Sequence, residues 1–147
     1  MIVATGIMVG HAVDAAQALQ EIGVSATVLD VHTLKPFNAA DVAEHARNHR
    51  VVLTVEEHNV EGGLGSMVLE ALAAAAVRVP AFKHGLQDEY AIVGPPTHLY
   101  QYYGLDPEGI ATVAGRALNR AVSGQEGMAQ LWSVEDRERV KDAVASE

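Results

Sequence analysis

The sequence predicts an α/β fold, a mainly parallel open sheet with helices on both faces. Three observations carry this. Short apolar runs alternate with helical patterns in the order β-α-β-α-β-α-β, followed by a long loop, a helix and a tail. Strict alternation favours parallel strands joined by crossover helices. Residues 51–55, VVLTV, are a β-branched run that suits a strand covered on both faces. Three polar residues, Glu56, Glu57 and His58, then stand at that strand's C-terminal end, before Gly62, Gly63 and Gly65 lead into a helix. In open α/β sheets this end of the strands is where ligand and partner surfaces gather, near a switch point.

Residues 1–5, MIVAT, read as the first strand. A domain seldom opens in mid-strand, so a longer polypeptide, another subunit or a trimmed start is expected ahead of it. Residues 12–22 place Ala15, Ala16, Leu19 and Ile22 at near-helical spacing, and Gly23 closes that helix. Residues 25–31, SATVLDV, form the second strand, and Pro36 keeps the following connection from becoming helix. Asn38 is placed to cap a helix over 39–48, with Asp41 in its first turn. After the third strand, Ser66 is placed to cap a helix reaching residue 77, so apolar that it must be buried on most sides.

Pro80 ends that region, and residues 81–85, AFKHG, form a short fourth strand. Residues 87–104 read as a long irregular stretch. Loops of this length are functional, packed on a partner or disordered, and Tyr90, Tyr100, Tyr102 and Tyr103 argue against disorder. Asp106 followed by Pro107 marks the start of a helix that reaches residue 122. Beyond a flexible break, residues 128–146 form a charged amphipathic segment, a docking helix or a partly disordered tail. The organisation expected is one domain over residues 1–123 and a charged, helical tail over 124–147.

The composition bounds the function. At 147 residues, 49% of them hydrophobic, the chain has enough apolar material for one real core. A net charge of -9 works against nonspecific nucleic-acid binding, since phosphates attract Lys and Arg, and against an anionic membrane surface. The absence of cysteine excludes disulfides, thiolate catalysis and Cys-ligated zinc or iron–sulfur sites. No basic residue precedes Lys35, so the apolar start lacks the mark of a signal peptide, and no segment has the length of a membrane span. A soluble, cytoplasmic protein is expected.

The candidate site is the rim at the strand ends. His11, His32 and His58 follow the first, second and third strands and would gather along one edge with Glu57. Gly62, Gly63, Gly65 and Ser66 lead into a helix N-terminus whose free amides and dipole suit a small anion. The glycines suit still better a tight strand-to-helix turn needing positive φ. Glu56, Glu57 and His58 are types that serve acid–base chemistry, but neighbours on a strand point to opposite faces, so at most two share a site. His45 and His49 stand four apart on a helix with no evident acidic third ligand, and no metal site is read there. The motif GxSxG is absent, so no Ser-His-Asp nucleophile is read, and no catalytic residue is assigned.

Four motifs occur in order: ATGIMVGHAVDAAQAL, VLDVHTLKPFN, VVLTVEEHNVEGGLGSMV and GLQDEYAIVGPPTHLYQYYGLDPEGIA. Together they resemble the C-terminal domain, or C-terminal section, of the transketolase family. That family is related to 1-deoxyxylulose-5-phosphate synthase and to the β subunits of 2-oxo-acid dehydrogenase E1 components. The resemblance spans residues 1–122. It implies a three-layer α/β/α domain whose first, antiparallel edge strand is missing here, with the remaining four strands ordered 2-1-3-4. The switch point then lies between the first and third strands, placing Gly6 and Ile7 beside Glu57, His58 and Asn59.

The resemblance also limits the function. Family enzymes transfer a two-carbon ketol unit between sugar phosphates, as in pentose phosphate chemistry, using thiamine diphosphate and a divalent metal. The two preceding domains hold that cofactor across a dimer interface. No GDG…N motif is present, so this chain is expected to bind no cofactor itself and to be inactive alone. It is expected to act in dimer or subunit assembly and in access to the active site. Its partners would be the cofactor-binding domains or subunit of the same enzyme, in a homodimer or hetero-oligomer. Two alternatives stand beside this. One is a free-standing regulatory module holding a small anion at the rim. The other is an E1 β-type domain docking on an acyltransferase core, which the wording of the motifs favours less.

Overall fold

The computed structural model describes residues 1–125 and 130–145. Strands β1 (Ile2–Ala4), β2 (Val28–Asp30), β3 (Val52–Asn59) and β4 (Ala81–Leu86) form one sheet in the order β2-β1-β3-β4, with every neighbouring pair parallel. This is the order that the resemblance to the transketolase C-terminal domain implies. Helices α1 (Met8–Glu21), α2 (Ala39–Ala46), α3 (Leu64–Ala74), α4 (Pro96–Tyr103), α5 (Pro107–Ser123) and α6 (Val134–Ala145) complete the described chain.

The strand period of two sorts the core into two clusters. Ile2, Ala4, Leu53 and Val55 face one way and pack with Met8 of α1 and Ile110 of α5. Met1, Val3 and Val52 face the other way and pack with Val42 of α2 and Leu64 and Val68 of α3. Both faces of the sheet are therefore covered, which is why residues 51–55 are all apolar except Thr54, itself buried. Each fully buried aliphatic side chain here is worth roughly 1.5–3 kcal/mol relative to exposure.

The caps read from sequence form at two helices. Asn38 Oδ1 accepts the Asp41 amide at 3.3 Å to start α2, and Asp106 Oδ1 accepts the Gly109 amide at 3.0 Å to start α5. Elsewhere the boundaries move. Helix α1 begins at Met8, so His11 lies in the helix. Helix α3 begins at Leu64 with Gly63 at its N-cap, so Ser66 is not the cap.

The stretch expected to be irregular contains α4. Its Pro95-Pro96 pair reads as a breaker in sequence, yet Pro96 is at the first helical position, where the missing amide has no intrahelical partner to lose. Gly104 closes α4 at φ 66°, the left-handed cap position. Past α5, Leu131 and Trp132 join the α1–α5 core cluster, and α6 follows them. The ends of the amphipathic segment, Met128 and Ser146, lie outside the described residues. Among the described residues, no helix is long and apolar enough to cross a membrane.

Candidate functional site

The alternation of β3 decides what each polar residue at its end does. Val52, Thr54 and Glu56 share the face toward α3, whereas Leu53, Val55 and Glu57 share the face toward α1. Glu56 is 2% exposed. Its Oε2 accepts the Leu64 amide at 2.7 Å and its Oε1 accepts the Gly65 amide at 2.9 Å. Those amides belong to the first turn of α3 and have no partner inside the helix. The carboxylate also sits at the positive end of the helix dipole. A Cβ on Gly63 would collide with this carboxylate, which is why glycine stands there. The Ser66 hydroxyl accepts the Gly62 amide at 3.0 Å and closes the turn from the other side. The glycine loop is thus built around an internal anion, and Glu56 takes two of the amides that an external anion would use.

Glu57, on the opposite face, is exposed. Its Oε1 accepts the Tyr100 hydroxyl of α4 at 2.9 Å. That bond to a carboxylate, with smaller effects of burial and of the Glu57 charge, raises the Tyr100 phenol above its ordinary pKa. The Tyr100 ring lies edge-on to His11, with centroids 5.1 Å apart at 84°. His11 Nδ1 is 2.7 Å from the Leu105 carbonyl. A carbonyl only accepts, so Nδ1 carries a proton and donates. Below His11, Asp106 has its carboxyl raised by burial, with the Gly109 amide working in the opposite direction.

Of the rim residues expected from sequence, His11 and Glu57 are brought together, through Tyr100. His58 is exposed and donates from Nδ1 to the carbonyl of its neighbour Asn59 at 2.9 Å. His32 stands apart beyond β2, in a hollow of about 210 Å³ lined also by Phe37 and Asn38. The pairing of β1 with β3, Ala4 opposite Val55, puts the switch point where it was expected.

Two histidines serve other ends. His45 Nδ1 donates to the Asp41 carbonyl at 2.9 Å, and His49 bridges the His45 carbonyl and the Thr27 hydroxyl. Among the described residues no group of three His, Asp or Glu side chains is arranged to hold a metal. The diphosphate of thiamine diphosphate needs free amides or cations. Here the first amides of α3 are engaged by Glu56, and Glu57 adds a second carboxylate, so these residues do not fit that group.

Sequence reasoning missed the part played by three residues. Tyr100 was visible only as one aromatic of a loop, because α4 was hidden behind its two prolines. Glu56 carried a signal in its spacing: it shares parity with Val52 and Thr54 and precedes the glycines. His84 gave no signal. It is buried in β4, donates from Nε2 to the Gly104 carbonyl at 2.7 Å, and burial lowers its pKa from 6.5 to about 4.

These features define a doubly wound α/β module whose strand-end rim is largely engaged by its own side chains. The sequence matches the family described as "Transketolase, C-terminal domain" over residues 1–110, and the chain belongs to that family. A 1-deoxy-D-xylulose-5-phosphate synthase of Ralstonia nicotianae is 46% identical over 110 residues, covering 75% of this chain and 16% of that protein. One of the subunits of an apulose-4-phosphate transketolase from Phocaeicola vulgatus is 38% identical over 113 residues, 77% of this chain and 36% of its own length. A solved structure, a split-gene transketolase described as an inactive β4 tetramer, superposes with a TM-score of 0.74 at 38% identity. That match covers 80% of this chain and 38% of the other. The chain therefore spans well under half the length of these relatives.

Proposed function

We propose that this chain is the C-terminal domain of a transketolase-type enzyme that transfers a two-carbon ketol unit between sugar phosphates. In this reading it works in assembly with the cofactor-binding domains or subunit, and influences access to the active site they form. Thiamine diphosphate and a divalent metal belong to those parts, and the complete enzyme works in the cytoplasm. The observation that carries the non-catalytic role is the Glu56 carboxylate on the Leu64 and Gly65 amides. It fills the one helix N-terminus at the rim that the sequence offered to a phosphate-bearing ligand, and turns that site into internal structure. The same contact works against the small-anion module.

Two experiments test the reading. Purified chain is mixed with thiamine diphosphate, magnesium, xylulose 5-phosphate and an aldose phosphate acceptor; no ketol transfer is expected, and turnover by the chain alone overturns the proposal. Light scattering at micromolar concentration is expected to show association with itself or with a cofactor-binding partner. A clean monomer that also ignores such a partner counts against the assembly role.

A further inference from the structure

We propose that residues 131–137 are an intramolecular clamp that fixes the conformation of the loop over residues 87–95. This segment lies beyond the family match, which ends at residue 110. Leu131 and Trp132 are buried in the α1–α5 core cluster. Trp132 Nε1 donates to the Tyr102 carbonyl at 2.9 Å, and its ring occupies the space beside Gly104, where a Cβ would approach it to 2.5 Å.

The next residues fix the direction of α6. Asp136 Oδ2 accepts the Ser133 amide at 2.8 Å, while the Ser133 hydroxyl accepts the Asp136 amide at 3.2 Å, a reciprocal capping pair. Arg116 of α5 grips the same carboxylate with two nitrogens, at 2.6 and 2.9 Å, and also donates to the Leu131 carbonyl at 2.7 Å. A bidentate pair of this kind sets orientation as well as attraction.

So oriented, α6 turns Arg137 inward, where it is 7% exposed. Its guanidinium lies 5.4 Å from the Tyr103 ring centroid and 5.7 Å from that of Tyr102, and Nη1 donates to Glu89. Tyr103 in turn accepts the Ile92 amide at its hydroxyl, at 3.0 Å. The loop is thereby held at Glu89 and at Ile92, both through groups that Arg137 touches. Between and beside these anchors, Tyr90 and Val93 are fully exposed. A buried guanidinium is costly unless paired. Glu89 pairs with Nη1 and the two rings face the guanidinium, while Nε is buried without a hydrogen-bond partner among the described residues, so removing the loop's anchor and removing the arginine should act on the same element.

Hydrogen exchange on the full chain tests this, in Arg137→Met and Glu89→Ala. The Ile92 amide reports the loop, and the Leu53 amide, bonded to the Met1 carbonyl in the sheet, reports the fold. The clamp predicts that both variants speed exchange at Ile92 roughly tenfold while leaving Leu53 unchanged. Should Arg137→Met loosen the sheet as well, Glu89→Ala decides, because the Glu89 side chain is 40% exposed and lies outside the core, and Arg137 keeps its contacts with both tyrosine rings. Unchanged exchange at Ile92 in Glu89→Ala overturns the proposal.

Discussion

The Glu56 carboxylate and the Leu64 amide are joined by a 2.7 Å hydrogen bond that ties the end of β3 to the start of α3. A side chain from the preceding strand, eight residues back, does the work that an N-cap residue does elsewhere. Replacing Glu56 by Ala leaves the Leu64 and Gly65 amides without acceptors in a buried site. We expect a loss of about 2–3 kcal/mol in urea unfolding, with Glu56→Gln losing less because one acceptor remains. Gly63→Ala should also destabilise, since its Cβ enters the space of the carboxylate.

His84 sets an acid limb on stability. Folding lowers its pKa from 6.5 to about 4 through burial, so between these values the unfolded chain binds a proton that the native chain refuses. The part of the stability set by His84 should therefore be fully present above pH 6.5, fall as pH drops from 6.5 to about 4, and level off below. The fall attributable to this residue is on the order of 3 kcal/mol. Chemical unfolding at stepped pH, comparing the wild type with His84→Gln, should show this limb shrink in the variant.

Trp132 is the single tryptophan, so its emission reports the seating of the tail. Trp132→Ala should cost about 3 kcal/mol, as large core truncations do. In Arg116→Ala the tryptophan stays but Asp136 loses the guanidinium that holds its carboxyl well below the usual carboxylate range. That carboxylate contributes stability above its unfolded value and loses it as pH falls further. Red-shifted Trp132 emission is expected in Arg116→Ala, together with a weaker acid dependence below pH 4.

At the rim, the Tyr100–Glu57 contact is exposed and should matter little to stability. Tyr100→Phe is expected to change unfolding by less than about 0.5 kcal/mol. Glu57→Gln should bring the raised Tyr100 phenol back toward its ordinary value, seen as a lower-pH component in a spectrophotometric tyrosine titration.

The fold was legible in the sequence where period and caps agree with packing. The apolar run at residues 51–55, the Asn38 cap and the Asp106-Pro107 start all stand in the structure as expected. Helix α4 was not legible, because Pro95-Pro96 carries the same signal whether it breaks a helix or begins one. Ser66 was misplaced as a cap because local capping preference says nothing of a carboxylate arriving from the preceding strand. The rim was half legible: their places at the ends of parallel strands put Glu57 near His11, but the residue that links them comes from the hidden α4. His32, following the short strand β2, was drawn into the same cluster by topology alone.

In the function proposed, the cofactor belongs to the partner and not to this chain. Calorimetric titration of the purified chain with thiamine diphosphate and magnesium tests this most directly. No saturable heat is expected from the chain alone, and binding is expected once a cofactor-binding partner is present, with the chain retained in the complex. Saturable binding by the chain alone would contradict it.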